Sequence, residues 1–155
     1  MEKEAAKLVE YFRREGVDYL LFSHEPVHTS EQASKARGVP LKTGVKALLL
    51  KDDAGRFVLA DLAADRRVDL KKLQTLARTG RLHFATRAEV LGLTNCEPGS
   101  VHPLGNLFGI PTYFDRSVLE NEFVNFNIGE LTRSARIRSA DLARLLRIEP
   151  GDFAL

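Results

Sequence analysis

VKALLLK at residues 45–51, followed by DDAG at 52–55 and RFVLAD at 56–61, is the stretch whose reading decides the fold. An apolar run this short, rich in leucine and bounded by turn residues, reads as a strand buried on both faces. Asp52-Asp53-Ala54-Gly55 is turn chemistry, so Arg56 to Asp61 returns as a second strand and the pair is an antiparallel hairpin. In strand register Lys46 shares a face with Leu48 and Leu50, while Val45, Ala47 and Leu49 take the other. A buried ammonium requires compensation from a carboxylate, a bound phosphate or ester carbonyl, or a lowered pKa. The alternative is that Lys46 sits at the mouth of the strand and extends its charge to water. Position in the sequence does not separate the two.

Upstream of the hairpin, Ala5, Leu8, Val9 and Phe12 recur at helical spacing and Gly16 stops the helix. Tyr19 to Phe22 is a short strand, Glu25-Pro26 a turn, and Thr29-x-x-Gln32 a capping box opening a helix that ends at Gly38. Downstream, Asp69 caps a helix with Leu70, Leu73, Leu76 and Ala77 as its stripe and Gly80 as its stop. Leu82 to Phe84 is a strand, and Thr86-x-x-Glu89 a second capping box. Gly92 to Pro111 reads as a long loop, of a kind uncommon in a compact domain unless it binds something. Ile110 to Phe114, Glu122 to Asn127 and Arg133 to Arg138 are strands. Ser139 caps a last helix carrying Leu142, Leu145 and Leu146, and the tail after Arg147 is expected to add little. Strands and helices mix without strict alternation, so the class is α/β in the mixed α+β sense. Without an internal repeat or linker, residues 1–155 form a single domain.

Composition narrows the function classes. Hydrophobic residues at 44% and charged residues at 28% exclude a disordered or fibrous chain. No apolar run approaches the ~20 residues of a membrane span, and MEKEAAKLVEYF lacks the basic flank of an export signal, so a cytoplasmic protein is expected. One cysteine, Cys96, excludes an internal disulfide and a multi-cysteine metal site. A formal net charge of +2 permits RNA binding without demanding it. Arg66, Arg67, Lys71 and Lys72, and again Arg133, Arg136 and Arg138, form local clusters that are either solvated faces or phosphate-facing stripes. The signatures GxGxxG, P-loop, HExxH and GxSxG are all missing, which removes the corresponding nucleotide, zinc-protease and serine-hydrolase readings.

Three further features bear on chemistry. Gly99-Ser100-Val101-His102-Pro103 followed by Leu104-Gly105-Asn106 is a loop whose glycines let backbone amides approach a ligand, as an oxyanion site requires, although glycine and proline in a loop are ordinary. His24 and His28 flank Glu25-Pro26 and suit metal binding, acid-base work or simply a polar loop. His83 alternates with Leu82 and Phe84 and reads as structural or exposed, and Phe123 and Phe126 read as core.

The order of these pieces resembles the YbaK and prolyl-tRNA-synthetase-associated editing-domain family, with its ProX- and INS-like members. The segments that carry the likeness are His24 to Ala33, Gly38-Val39-Pro40, Val45 to Lys51, Phe57 to Ala60, Arg66 to Leu73, Glu97 to Gly105, Phe126 to Gly129 and Ile137 to Leu142. The resemblance implies a mixed, barrel-like sheet flanked by helices and a trans-acting deacylase that hydrolyses the ester of mischarged tRNA, such as Ala- or Cys-tRNA(Pro). It further implies Lys46, Gly99 and Ser100 as catalytic, and His28, Thr29, Val101, His102, Pro103, Asn127 and Gly129 as substrate-binding. Arg66, Arg67, Arg133 and Arg136 would meet tRNA. No cofactor and no metal are implied; the partners are mischarged tRNA and prolyl-tRNA synthetase, and no membrane. The family's alanine-specific branch carries a histidine near Asn127, so the amino acid stays open. The competing reading is a non-catalytic module of the same fold that binds tRNA ends or a synthetase.

Overall fold

The structure is a computed structural model and describes residues 2–155. Its elements are α1 (Glu2–Arg14), β1 (Leu20–Ser23), α2 (Ser30–Arg37), β2 (Val45–Asp52), β3 (Phe57–Ala63), α3 (Leu70–Ala77), β4 (Leu82–Phe84), α4 (Arg87–Thr94), β5 (Thr112–Phe114), β6 (Phe123–Asn127), β7 (Arg133–Arg138) and α5 (Ser139–Leu146). Short 3-10 turns occupy Leu41–Thr43, Gly105–Phe108 and Arg116–Glu120. The hairpin forms as its sequence dictates, with Lys46 opposite Leu62 and Leu48 opposite Ala60. Asp52 closes its turn by accepting from the amides of Ala54 and Arg56 at 3.0 and 2.9 Å.

The expected mixed α/β class holds, but the sheet is not a closed barrel. It is two open sheets, ordered β1-β7-β6 and β4-β2-β3-β5, with β5 parallel to β3 and the other pairings antiparallel. Among the described residues one backbone bridge joins them, Gly44 with Asn125, where the Asn125 side chain donates to Thr43 Oγ1 at 3.2 Å. One face of the smaller sheet, with Val124, Phe126, Ala135 and Ile137, packs on α1 and α5. The larger sheet is covered on both faces. Leu50, Val58, Ala60 and Leu62 meet Leu73 of α3, while Leu49 and Leu59 meet Val90 of α4 and Ile110. This double coverage is why β2 reads as a continuous apolar run.

Both capping boxes exist, Thr29 with Gln32 and Thr86 with Glu89, and Gly38 ends α2 in the left-handed conformation. Other expectations give way to tertiary context. Helix α3 stops at Arg78, which takes φ 55°, before Gly80 is reached. Ser139 is the first residue of α5 rather than its cap, and its hydroxyl donates to the Asn121 carbonyl at 2.6 Å. The long loop is shortened at one end by α4, which runs to Thr94, and broken by the turn at Gly105–Phe108. Phe126 is core, but Phe123 is only half-buried, under the guanidinium groups of Arg136 and Arg138 at 4.5 and 4.9 Å from its ring centre.

The tail contributes more than expected. Phe153 is fully buried against the β2–β3 face, and Asp115 Oδ1 accepts from the amides of Phe153 and Ala154 at 2.8 and 3.0 Å. Burying one such ring stabilises by roughly 1.5–3 kcal/mol. Phe153-Ala154-Leu155 is too short an apolar run for periodicity to announce this.

Asp61 is a costly feature of the hairpin. It lies opposite Ala47, is fully buried, and neither carboxylate oxygen has a hydrogen-bond partner among the described residues. Burial raises its pKa well above the ordinary carboxylate value, so the folded state holds a proton that the unfolded chain releases. Stability is therefore fullest below the unfolded pKa and falls as pH rises toward the folded one. Asp61→Asn removes this dependence. Its gain in urea midpoint over the parent protein is expected to be larger at pH 8 than at pH 4.5, and an equal difference at both would refute the buried-proton account.

Candidate active site

A cavity of about 160 Å³ opens where the β2 wall, the start of α2 and the 97–101 loop converge. Lys46, Ala47 and Leu48 supply one wall, His28, Thr29, Ser30, Ala33 and Arg37 a second, and Gly99, Val101 and Asn127 the third. The capping box explains the second wall. Thr29 Oγ1 accepts from the Gln32 amide at 3.1 Å while Gln32 Oε1 accepts from the amides of His28 and Thr29, which pins the 28–30 backbone against the pocket.

Lys46 is half-buried and forms no ion pair or hydrogen bond among the described residues. Desolvation lowers its pKa, against the more distant charges of Glu31 and Asp65, with Arg67 adding to the lowering. Arg37 is the second cation of the pocket. Its Nε donates to Ser134 Oγ at 2.9 Å and its Nη2 to Asn127 Oδ1, but no carboxylate lies within ion-pair range among the described residues. Burial lowers its pKa to about 10, so it stays charged at neutral pH. Behind it, His24 Nδ1 donates to the Glu25 carbonyl at 2.8 Å, and Nε2 shares a 2.8 Å hydrogen bond with the Ser134 hydroxyl. This chain holds Ser134 oriented to receive the guanidinium.

The loop positions backbone rather than side chains. Gly99 has φ 88°, and a Cβ there would lie 3.2 Å from the His28 carbonyl oxygen. The amides of Gly99 and Val101 donate to no protein acceptor among the described residues, whereas the Ser100 amide and hydroxyl are both spent on the Glu97 carbonyl, at 2.9 and 2.7 Å. The Ser100 carbonyl in turn accepts from the Gly129 amide at 2.8 Å, tying the loop to the end of β6. His102 is buried, stacked on Phe108 at 4.4 Å, and accepts from the Leu104 amide at Nδ1. Burial lowers its pKa to about 3, so it is neutral.

Of the residues singled out from the sequence, Lys46, Gly99, His28, Thr29, Val101 and Asn127 come together at the cavity. Ser100, His102, Pro103 and Gly129 lie outside its lining and shape the loop. His24 and His28 do not form a metal cluster, and no group of three possible ligands exists among the described residues. Of the four arginines, Arg66 donates from Nη2 to both Glu120 carboxylate oxygens at 3.0 and 2.9 Å, and Arg133 pairs with Glu130 at 3.2 Å. Arg67 and Arg136 have no carboxylate in range among the described residues. The three-arginine stripe on β7 is also corrected by register: Arg136 and Arg138 share a face, and Arg133 points to the other.

A family model for the aminoacyl-tRNA editing domain matches residues 24–145. The chain belongs to this family. This editing domain is 34% identical over 155 residues to the multifunctional Ser/Thr-tRNA deacylase ProXp-y of Escherichia coli K12, covering 95% of this chain and 90% of that protein. It is 26% identical over 144 residues to the prolyl-tRNA editing protein ProX of Acetoanaerobium sticklandii, covering 88% and 87%. A proline–tRNA ligase of Bacillus licheniformis shares 36% identity over 83 residues, which is 53% of this chain and 14% of the ligase. The fold matches the crystal structure of hypothetical protein APE2540, with TM-score 0.85, 23% identity and coverage of 96% and 99%. It also matches the structure of a candidate trans-editing enzyme for prolyl tRNA synthetase, with TM-score 0.82, 24% identity and coverage of 98% and 97%.

Arg37 is the site residue of this editing domain that the sequence did not disclose. A basic residue in the last turn before a glycine cap is the expected complement of the helix dipole, so it carries no separate signal. Gly99, by contrast, is testable as a backbone requirement. Gly99→Ala is expected to cost about 1–3 kcal/mol in urea unfolding, the usual range for a strained backbone. Gly92→Ala in α4, where a Cβ meets nothing within 4 Å, is the control and should be neutral or stabilising. Equal effects at the two positions would remove the strain argument.

Proposed function

We propose that this protein is a trans-acting aminoacyl-tRNA deacylase that clears tRNA mischarged with a small hydroxyl-bearing amino acid, serine or threonine. The observation that carries the reading is a cavity of about 160 Å³ lined by two cations without counter-ions among the described residues and by Gly99 and Val101, whose amides have no protein acceptor among those residues. Such a space suits a small amino acid. Its polar groups, Thr29, Ser30, Arg37 and Asn127, suit a side-chain hydroxyl better than a methyl or thiol, and the name of the Escherichia coli relative points the same way. The Ala- or Cys-tRNA(Pro) specificity implied by the sequence resemblance is the competing substrate choice, and the likeness to part of a proline–tRNA ligase keeps tRNA(Pro) and its synthetase in view.

In this mechanism the ester carbonyl sits against the Gly99 and Val101 amides, which stabilise negative charge on its oxygen as a tetrahedral intermediate forms. Water adds to the carbonyl carbon, the bond to the terminal ribose oxygen breaks, and that oxygen leaves with a proton, giving free amino acid and tRNA. No side-chain nucleophile is assigned. The Ser100 hydroxyl is committed to Glu97, and burial pushes the Cys96 thiol up to about 11. Lys46 and Arg37 offset the charge of the developing oxyanion and of the nearby terminal phosphate. Arg67 and Arg136 are the arginines offered to the remaining phosphates.

Release of labelled amino acid from Ser-, Thr-, Ala- and Cys-charged tRNA, with Pro-tRNA(Pro) as the control, tests the reading. Selective turnover of the seryl and threonyl species is expected. Protection of every ester with tight tRNA binding would instead favour the non-catalytic module. Lys46→Ala is expected to fold and to lose roughly 100-fold in kcat/KM, on the scale of removing one charge-stabilising group. Undiminished activity in the folded variant would take Lys46 out of the mechanism. Because desolvation lowers the Lys46 pKa, activity corrected for spontaneous hydrolysis should fall on the alkaline side as its charge is lost. In Lys46→Arg that fall should move to higher pH.

A further inference from the structure

A second, apolar trough of about 140 Å³ runs on from the ester pocket. Ala47, Leu48, Gly99 and Val101 line both spaces, so the two meet at a common lip formed by the β2 edge and the 97–101 loop. Beyond the lip the trough is bounded by Phe84, Ala85, Val90 and Pro98. Phe84 is 56% exposed, an unusual state for a phenylalanine with a folded core close by.

The trough exists because β4 is short. It pairs with β2 only from Leu50 to Asp52, and the last contact is the Ala85 amide donating to the Leu49 carbonyl at 3.0 Å. The edge of β2 before Leu49 is therefore uncovered. In an antiparallel ladder alternate residues turn their polar groups to the same side, so the Ala47 N–H and C=O point toward this open edge, as the Leu49 carbonyl does. An exposed aromatic ring and apolar wall thus lie beside one backbone donor and one backbone acceptor.

We propose that this trough binds the nucleobase at the 3′ end of the tRNA, stacked on Phe84 with its polar edge toward the Ala47 backbone. The inference rests on the deacylase reading and assigns the part of the substrate that reading leaves unplaced. In an aminoacyl-tRNA the ester and the terminal base hang from the same ribose. A protein that binds both therefore needs two adjoining recesses meeting at the ribose: a closed polar one for the amino acid and an open apolar one for the base. The pair at Gly99 and Val101 has this form. An aliphatic occupant would satisfy the wall but leave the Ala47 donor and acceptor unused, whereas a base uses its face and its edge together.

Steady-state deacylation by Phe84→Ala tests the assignment. KM for charged tRNA should rise about tenfold with kcat held, the scale of losing one base–aromatic stack, and Phe84→Tyr should restore it. A charged minihelix lacking its terminal base should lose the same factor with the parent protein and nothing further with Phe84→Ala, because both changes remove one interaction. An unchanged KM in Phe84→Ala, or losses that multiply, would overturn the trough assignment while leaving the deacylase intact. Should the parent protein release no amino acid from any charged tRNA, the deacylase reading fails separately, and titration with adenosine 5′-monophosphate decides the trough. NMR shifts at Leu48 and Val90 that vanish in Phe84→Ala support it, and shifts elsewhere or none overturn it.

Discussion

Strand β2 is packed on both faces but paired on its β4 side along only part of its length, and the rest of the molecule is arranged around that constraint. Its upper half is bonded to β3 on one side and β4 on the other, inside apolar layers closed by α3 and α4. Its lower half, from Val45 to Leu48, keeps β3 but extends beyond the end of β4 on the outer edge, and there it becomes the wall of a cavity. A strand that is core at one end and binding surface at the other can carry a lysine without an internal carboxylate, since solvent and ligand reach it from the open side.

The cations of the site draw their character from the same arrangement. Lys46 and Arg37 come from opposite walls, each partly stripped of water, and neither is neutralised by an acid in contact among the described residues. Arg37 is held by neutral oxygens on Ser134 and Asn127, so its geometry is fixed while its charge remains available. Burying two uncompensated positive groups costs folding energy, and a bound anion or developing oxyanion recovers it. Asp61, one residue before Leu62 in the register opposite Lys46, does not serve this purpose. It is sealed in the core without contact to either cation, and burial favours its neutral form.

Around the cavity, side chains that look reactive do structural work, and in the proposed mechanism the backbone is left for the substrate. Ser100 and His102, the polar residues of the loop, are turned inward to hold its shape, and Gly129 ties it to β6. From this loop Gly99 and Val101 line the cavity, and the approach of Gly99 to His28 leaves no room for a Cβ there without adjustment. An activated ester needs no strong nucleophile, so a rigid display of amides and cations is sufficient chemistry.

Local rules were enough for the hairpin, for the two capping boxes and for most strands and helices, because turn residues, caps and apolar runs act over a few neighbours. The order of the motifs carried the family likeness, with Lys46 and the Gly99 loop as its site. What the sequence could not disclose depends on residues far apart in the chain. The two sheets stay separate because the one backbone bridge between them among the described residues is Gly44 with Asn125, and Phe153 is core because Asp115 turns the tail inward. Arg37 joins the pocket through β6 and β7, some 90 positions later. Spacing reports which side of a strand or helix a residue occupies, but only tertiary packing decides whether that side meets solvent, core or a site.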